Sequence, residues 1–460
     1  MIQITHESKE KVLASVKQGR IDAADISQPN FIDGIILKMK ELGVVDELRH
    51  IIKDKRQSNA VIPLEFIWIL AIASKMKIHT SLTDIPYAIM DAEVLSALGY
   101  SLWDTDRDLE KGLMDEGAIR HLLGKYEQNE MIYGYNQCVQ EHILPHMGIN
   151  ADIHILDCTE IEVELSNENY EGSTVVNIDG VRRGYKLATL RGIVGDSGVI
   201  EDIRFGTISD HDLEMSREMI LNSPMLKPND TLINDRGFLS RTVLNELKTH
   251  RKVDVYVPLR KNMIAYQDAV SIAKATKNWM PHPNKKRKSQ KIAFVPDAGR
   301  MWESEVAEND VPLNACVVWD AKDDEYYVFV TTDITKTAKQ IIQTYEMRPE
   351  IEEDYRQLKD FWKLEDFKST KIHIIAFHIV CTLLGYLMFQ LFVGTEEGER
   401  WQGKSLPVIM KKYIPPEKPK TVILYTGQYF ATFPFVEFLH LYTSLDASAR
   451  SQLDLVFALL

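Results

Sequence analysis

Residues 152–157 read DIHILD, a run in which apolar and polar side chains alternate and β-branched residues recur, as in a partly buried strand. Downstream, KLATLRGIV (186–194) and GVIEDIRFGTIS (198–209) flank a glycine-rich turn and read as a hairpin. HDLEMSREMILNS (211–223) has helical spacing, TLIND (231–235) is a short buried-type strand, FLSRTVLNELKTH (238–250) is a helix and DVYVPL (254–259) another strand. Three strands, helix, strand, helix, strand is the order of an α/β sheet.

Outward from this core the pattern changes on both sides. Residues 1–148 space their apolar side chains at three and four, as in FIDGIILKMKELGVVDELRHIIKD (31–54) and LEFIWILAIASKMK (64–77), and predict an all-helical N-terminal region. Residues 261–330 carry the polar, proline-containing WMPHPNKKRKSQK (279–291) and the strands NACVVWD and YYVFVTTD, and read as a β-strand-rich insertion. Regular helix resumes near Thr335, with Pro349 demanding a kink or a fresh start between Met347 and Pro349. The expected domains are thus 1–148, a core of 149–260 and 331–395 split by the 261–330 insertion, and a C-terminal region of 396–460. Ile374 to Phe392 is as long as a bilayer span and carries no formal charge, but His378, Gln390 and Gly385 within it argue for a buried core helix and no membrane partner.

Composition narrows the function classes. At 460 residues, 45% hydrophobic and 26% charged, the chain is neither a small module nor a disordered one. Its four cysteines, Cys138, Cys158, Cys316 and Cys381, have no zinc-knuckle spacing, and the polar N-terminus lacks the apolar stretch of an export signal, so a reducing cytoplasm is expected. The net charge of −13 argues against a protein that coats phosphates everywhere. That charge is segregated: Arg236 to Lys291 hold 14 Lys or Arg and 3 acids. Within it, Lys285, Lys286, Arg287 and Lys288 form a compact cationic run suited to a DNA backbone. Arg182, Arg183 and Lys186 suggest a second, smaller basic patch.

Three carboxylates stand where a nucleic-acid-cleaving sheet would need them. Asp157 ends the first strand motif, Asp235 ends TLIND just before Arg236-Gly237-Phe238, and Glu352 lies on the later helix. Two Asp from neighbouring strands and a Glu from a helix across them can hold hard divalent cations, Mg2+ or Mn2+. Tyr345, Arg348, Glu352 and Lys359 are separated by three, four and seven residues, which would set all four on one face of a helix.

This spacing, with LDCTEIEV and NDRGF around the two Asp, resembles the DDE insertion-sequence transposases that carry a Tyr-Arg-Glu-Lys signature. The resemblance covers roughly residues 150–395, with Pro349 standing where an aromatic residue is usual. It implies an RNase H-like catalytic core and Asp157, Asp235 and Glu352 as metal-binding catalytic acids for two Mg2+ or Mn2+ ions. Tyr345, Arg348 and Lys359 would meet DNA phosphates. It further implies end cleavage followed by attack of the released 3′-hydroxyl, either forming a hairpin or joining target DNA. The partner would be double-stranded DNA, bound by a homodimer or larger synaptic assembly in the cytoplasm of a bacterial or archaeal cell, associated with the nucleoid. Trp279 and Trp302 would be the candidates for stacking on an extruded base. A catalytically retired DNA-binding protein and a stand-alone metal nuclease of the same fold remain as alternative readings.

Overall fold

The computed structural model describes residues 3–57, 60, 62–89, 91–101, 115–178, 180–195, 197–298, 311–413 and 420–458. The chain forms two compact units, Val139–Gln357 and a second that combines Met1–Cys138 with Leu358–Leu460.

Val139–Gln357 is organised by a ten-stranded sheet. Its centre is β1 (Ile153–Val163), flanked on one side by β2 (Thr174–Asn177), β3 (Val181–Val194) and β4 (Ser197–Thr207), where β1 and β4 pair antiparallel with β3. After α1 (Asp212–Asn222), β5 (Thr231–Asn234) and β6 (Asp254–Pro258) add parallel strands on the other side of β1. The chain then runs through α2 (Ile264–Thr276), β7 (Gln290–Val295), β8 (Asn314–Asp320) and β9 (Glu325–Thr331). β9 pairs antiparallel with β6, so residues 261–330 extend the core sheet with strands and a helix. They do not build a sheet of their own.

The parallel centre is covered on both faces, which is why β1 and β6 carry consecutive buried residues: Ile155 with Leu156, and Val255, Tyr256 and Val257. Side chains alternate across a strand, so Ile155 and Asp157 share one face while Leu156 and Cys158 share the other. Leu156, Leu190, Leu232 and Val257 pack with Met219 of α1 and with Ala265 and Ala269 of α2.

At the start of β1 lies a buried ionic group. His154 directs Nδ1 to Glu201 Oε2 at 2.8 Å and Nε2 to Asp230 Oδ2 at 3.2 Å. Gly192 makes room for it, since a Cβ there would come within 2.2 Å of Glu201 Oε1. Burial opposes the imidazolium charge, but the hydrogen bonds and charges of Asp230 and Glu201 outweigh it and lift the His154 pKa from 6.5 to about 9. A pKa raised on folding stabilises the protein fully below the unfolded value and ceases to do so above the folded one. His154 should therefore add about 3 kcal/mol of stability below pH 6.5 that disappears as pH rises through 9. Chemical denaturation across this range checks it: the wild-type slope should vanish in His154→Gln.

In the other unit, helices Phe31–Glu41, Leu64–Met76, Glu116–Leu123 and Gln128–Gln137 surround α5 (Ile372–Val393). α5 is long and apolar enough to cross a membrane, and its side chains are buried in this unit from Ile374 to Phe389. The expectation of an all-helical N-terminal region is corrected here. Ala23–Ser27 is a strand that pairs antiparallel with β10 (Thr421–Thr426), which pairs in turn with β11 (Tyr429–Pro434), and His6–Glu7 adds to β11. Gln3–Ile4 pairs with Tyr100–Ser101. These strands find their partners far along the chain, so no local repeat announces them. The domain limits also differ from expectation: residues 358–395 cluster with the N-terminal segment and residues 396–460, not with the sheet that holds the acids.

Candidate active site

β1 and β5 are parallel neighbours, with Leu156 in register with Asn234. Asp157 therefore follows its strand partner at the same level as Asp235, which caps the short 3-10 turn Arg236–Phe238. Asp235 follows the carboxyl end of β5, the position at which open α/β sheets hold ligands. The expectation that Asp157 ends its strand is corrected: β1 runs on to Val163, paired with β3 throughout, so Asp157 lies within the strand, level with the end of β5. The third acid arrives on a helix. The fresh start expected at Pro349 is present: α3 (Ala338–Tyr345) ends and α4 (Pro349–Arg356) begins, with Pro349 in the first turn of α4, where its missing N–H has no cost.

The break corrects the picture of four residues on one helical face. Tyr345 closes α3, Arg348 is the residue before α4, and Glu352 lies within α4. Lys359 follows in a π-helical turn, belongs to the other compact unit, and pairs with Glu365 at 2.8 Å.

Arg348 draws the three acids together. Its Nη2 lies 2.9 Å from Asp157 Oδ2 and 3.9 Å from Asp235 Oδ2, and its Nη1 lies 2.5 Å from Glu352 Oε1. Among the described residues no other cation forms an ion pair with these carboxylates. One guanidinium against three carboxylates leaves the cluster short of positive charge, and the Asp157 side chain is only 13% exposed. Burial pushes the Asp157 carboxyl up to about 6, against the pull of Arg348 and of the Cys158 N–H, which donates to Oδ1 at 2.9 Å. The Arg348 Nε is buried without a hydrogen-bond partner in the described structure. An all-oxygen donor set with surplus negative charge fits a hard divalent cation. Tyr345 packs its ring on Phe329, with centroids 4.6 Å apart, and burial pushes its phenol up, so it stays a proton donor.

Two contacts fasten α4 to the sheet, and neither was evident from motif spacing. The Tyr355 hydroxyl donates to the Asp157 carbonyl at 2.7 Å and lies 2.7 Å from Thr189 Oγ1. Arg191, buried in β3, reaches Asp354 Oδ2 at 2.5 Å through Nε and Glu350 Oε2 at 2.9 Å through Nη1. The signal for Arg191 was a charge in the middle of the mainly apolar strand run LATLRGIV. Gly198 leaves space for its guanidinium, since a Cβ there would stand 2.1 Å from Arg191 Cζ.

Lys285, Lys286, Arg287 and Lys288 occupy an exposed loop before β7. Arg287 pairs with Glu346 at 2.9 Å, which ties this loop to the end of α3 beside Tyr345. The smaller basic patch is neutralised: Arg182 pairs with Glu160, Arg183 with Glu168 at 3.8 Å, and Lys186 with Asp212 at 2.7 Å. Trp279 is partly buried on the core and packs against Trp319, with centroids 5.6 Å apart, and against Tyr326 at 6.3 Å. Trp302 lies outside the described residues.

Two acids set by neighbouring parallel strands and a third brought in by a helix make an acidic centre whose counter-charge is incomplete. The family described as "Transposase DDE domain" matches residues 152–388, just over half of the chain, and so includes every member of this centre. The chain belongs to that family of DDE-domain transposases. No curated protein matches it.

Proposed function

We propose that this protein is the transposase of an insertion sequence, which cuts the ends of its element and joins them to target DNA by a cut-and-paste route. The observation that carries the reading is the convergence of Asp157, Asp235 and Glu352 on Arg348 at the parallel centre of the sheet. The sheet order, an antiparallel β1–β3–β4 meander followed by parallel β5 and β6, supports an RNase H-like core.

In this reading Asp157, Asp235 and Glu352 hold two Mg2+ or Mn2+ ions. Such ions activate the attacking water or hydroxyl group and stabilise the leaving oxygen of an in-line phosphoryl transfer. Arg348, whose planar fork suits phosphate as well as carboxylate, moves part of its contact from the acids to the phosphate beside the cleaved bond. Tyr345, held protonated by burial, donates a hydrogen bond to a neighbouring phosphate. Lys285, Lys286, Arg287 and Lys288 follow the DNA backbone and fix its register without reading sequence. Lys359, with its signature spacing from Glu352, contributes a further phosphate contact. Trp279 serves the packing of the core as well as any stacking on an extruded base. The active species is a homodimer or larger assembly that pairs two ends, in the nucleoid-associated cytoplasm of a bacterial or archaeal cell.

The test uses the purified full-length chain, duplex DNA carrying the inverted ends that flank the gene, and Mg2+ or Mn2+. Cleavage at the ends and joining of the released 3′-hydroxyl to a target duplex are the expected products. Cleavage without dependence on end sequence and without joining would overturn the reading in favour of a nuclease. DNA binding with no cleavage under either ion would overturn it in favour of a retired enzyme.

A further inference from the structure

Within the unit that contains α5, a small recess partly open to solvent brings Lys75, Arg120 and Lys368 together with the hydroxyl residues Thr80, Ser81 and Ser369, against an otherwise mainly apolar wall that also holds His378. Among the described residues its wall holds no carboxylate. Lys75 lies at the end of helix Leu64–Met76, in a stretch where nearly every side chain is buried, and is itself only 3% exposed. A buried ammonium ordinarily has a carboxylate against it. Lys75 has none within ion-pairing distance among the described residues, and its Nζ donates one hydrogen bond, to the His79 carbonyl at 3.1 Å.

The acids nearest in influence are already engaged. Asp84 accepts the Ser81 N–H at 3.3 Å, and Asp366 pairs with Lys368. Arg120 pairs with Glu116 at 2.5 Å along its own helix, on the solvent side, where such pairs hold little energy. Burial drives the Lys75 pKa down to about 8, the response of a charge that has lost water and gained no anion. Removing this charge would relieve the fold, so its presence needs another reason.

We propose that this recess is a phosphate-binding site, with Lys75 at its base, Arg120 and Lys368 at its rim, and the hydroxyls of Thr80, Ser81 and Ser369 as further donors. Three cations and three hydroxyls offer the tetrahedral anion more donors than it has oxygens, and the buried ammonium supplies a strong charge-assisted hydrogen bond at the base. The same chemistry takes a phosphate of a DNA strand or free inorganic phosphate. The site shares no residue with the acidic centre and does not depend on the reading of that centre.

The experiment measures the melting temperature of the full-length protein against inorganic phosphate at constant ionic strength, and in parallel the salt dependence of its affinity for duplex DNA. Wild type should gain melting temperature with phosphate and saturate. Lys75→Met should melt no lower than wild type without phosphate and lose the phosphate-dependent gain. Arg120→Ala and Lys368→Ala, on the exposed rim, should each weaken the phosphate response about tenfold, and they carry the test if Lys75→Met does not fold. A drop of about one in the DNA salt slope of Lys75→Met identifies a strand phosphate as the ligand. An unchanged slope with a lost phosphate response identifies free phosphate. An undiminished phosphate response in all three variants, with an unchanged DNA slope, overturns the site.

Discussion

Glu352→Gln should lower DNA-end cleavage by at least about a thousandfold, the loss of ~4 kcal/mol of transition-state stabilisation, while leaving DNA binding at the wild-type level. The substitution keeps the size of the side chain and removes the charge that Arg348 Nη1 meets at 2.5 Å. Because the Glu352 side chain is 55% exposed, its replacement should not unfold α4. Asp157→Asn should match this loss of cleavage, since that acid meets the same guanidinium from the strand side at 2.9 Å. A gel assay of end cleavage, run beside a binding isotherm on the same duplex, separates the two effects. Normal cleavage by Glu352→Gln would remove Glu352 from the catalytic set. Lost cleavage together with lost binding would mean that the residue serves DNA contact instead.

Arg191→Met should cost roughly 3–5 kcal/mol of folding stability, the largest structural effect expected of any single substitution in the sheet unit. Arg191 and Asp354 are each 5% exposed, and removing the cation would strand a buried carboxylate. Asp354 sits on α4 two residues beyond Glu352, so the loss should also loosen the helix that presents the third acid. Adding Asp354→Leu should recover much of the stability, because two apolar groups in place of a buried ion pair remove both desolvation penalties. Chemical denaturation of the single and double variants measures this directly. A single variant as stable as wild type would show that α4 is held by Tyr355 and packing alone.

Much of the sheet could be read before any coordinates, because its strands advertise themselves locally. The short apolar run TLIN places Asp235 directly after β5, and DIHILD marks the start of β1; what it does not tell is that β1 continues to Val163, so that Asp157 lies within the strand, level with the end of β5. Pro349 likewise announces the break between α3 and α4, because a residue with no N–H and a fixed φ can start a helix but not continue one. What stayed hidden depends on distant partners. Ala23–Ser27 reads AADIS, too short and too polar to declare a strand, and becomes one by pairing with Thr421–Thr426. The role of Arg191 needed a helix more than 150 residues later, and Arg348, expected at DNA phosphates, meets the acids of both strands as well as Glu352 four residues on.

The pairing of Ala23–Ser27 with β10 also sets an order of assembly during synthesis. The first 138 residues share a compact unit with the last hundred, and the sheet that holds the acids is translated between them. A ribosome adding residues one by one completes the strands of Val139–Gln357 before the mates of Ala23–Ser27 exist. The N-terminal segment must therefore wait, with Ala23–Ser27 lacking its mate, until Thr421–Thr426 has been made. A chain that stopped before Thr421 would carry a finished acidic centre attached to an N-terminal segment lacking its completing strands.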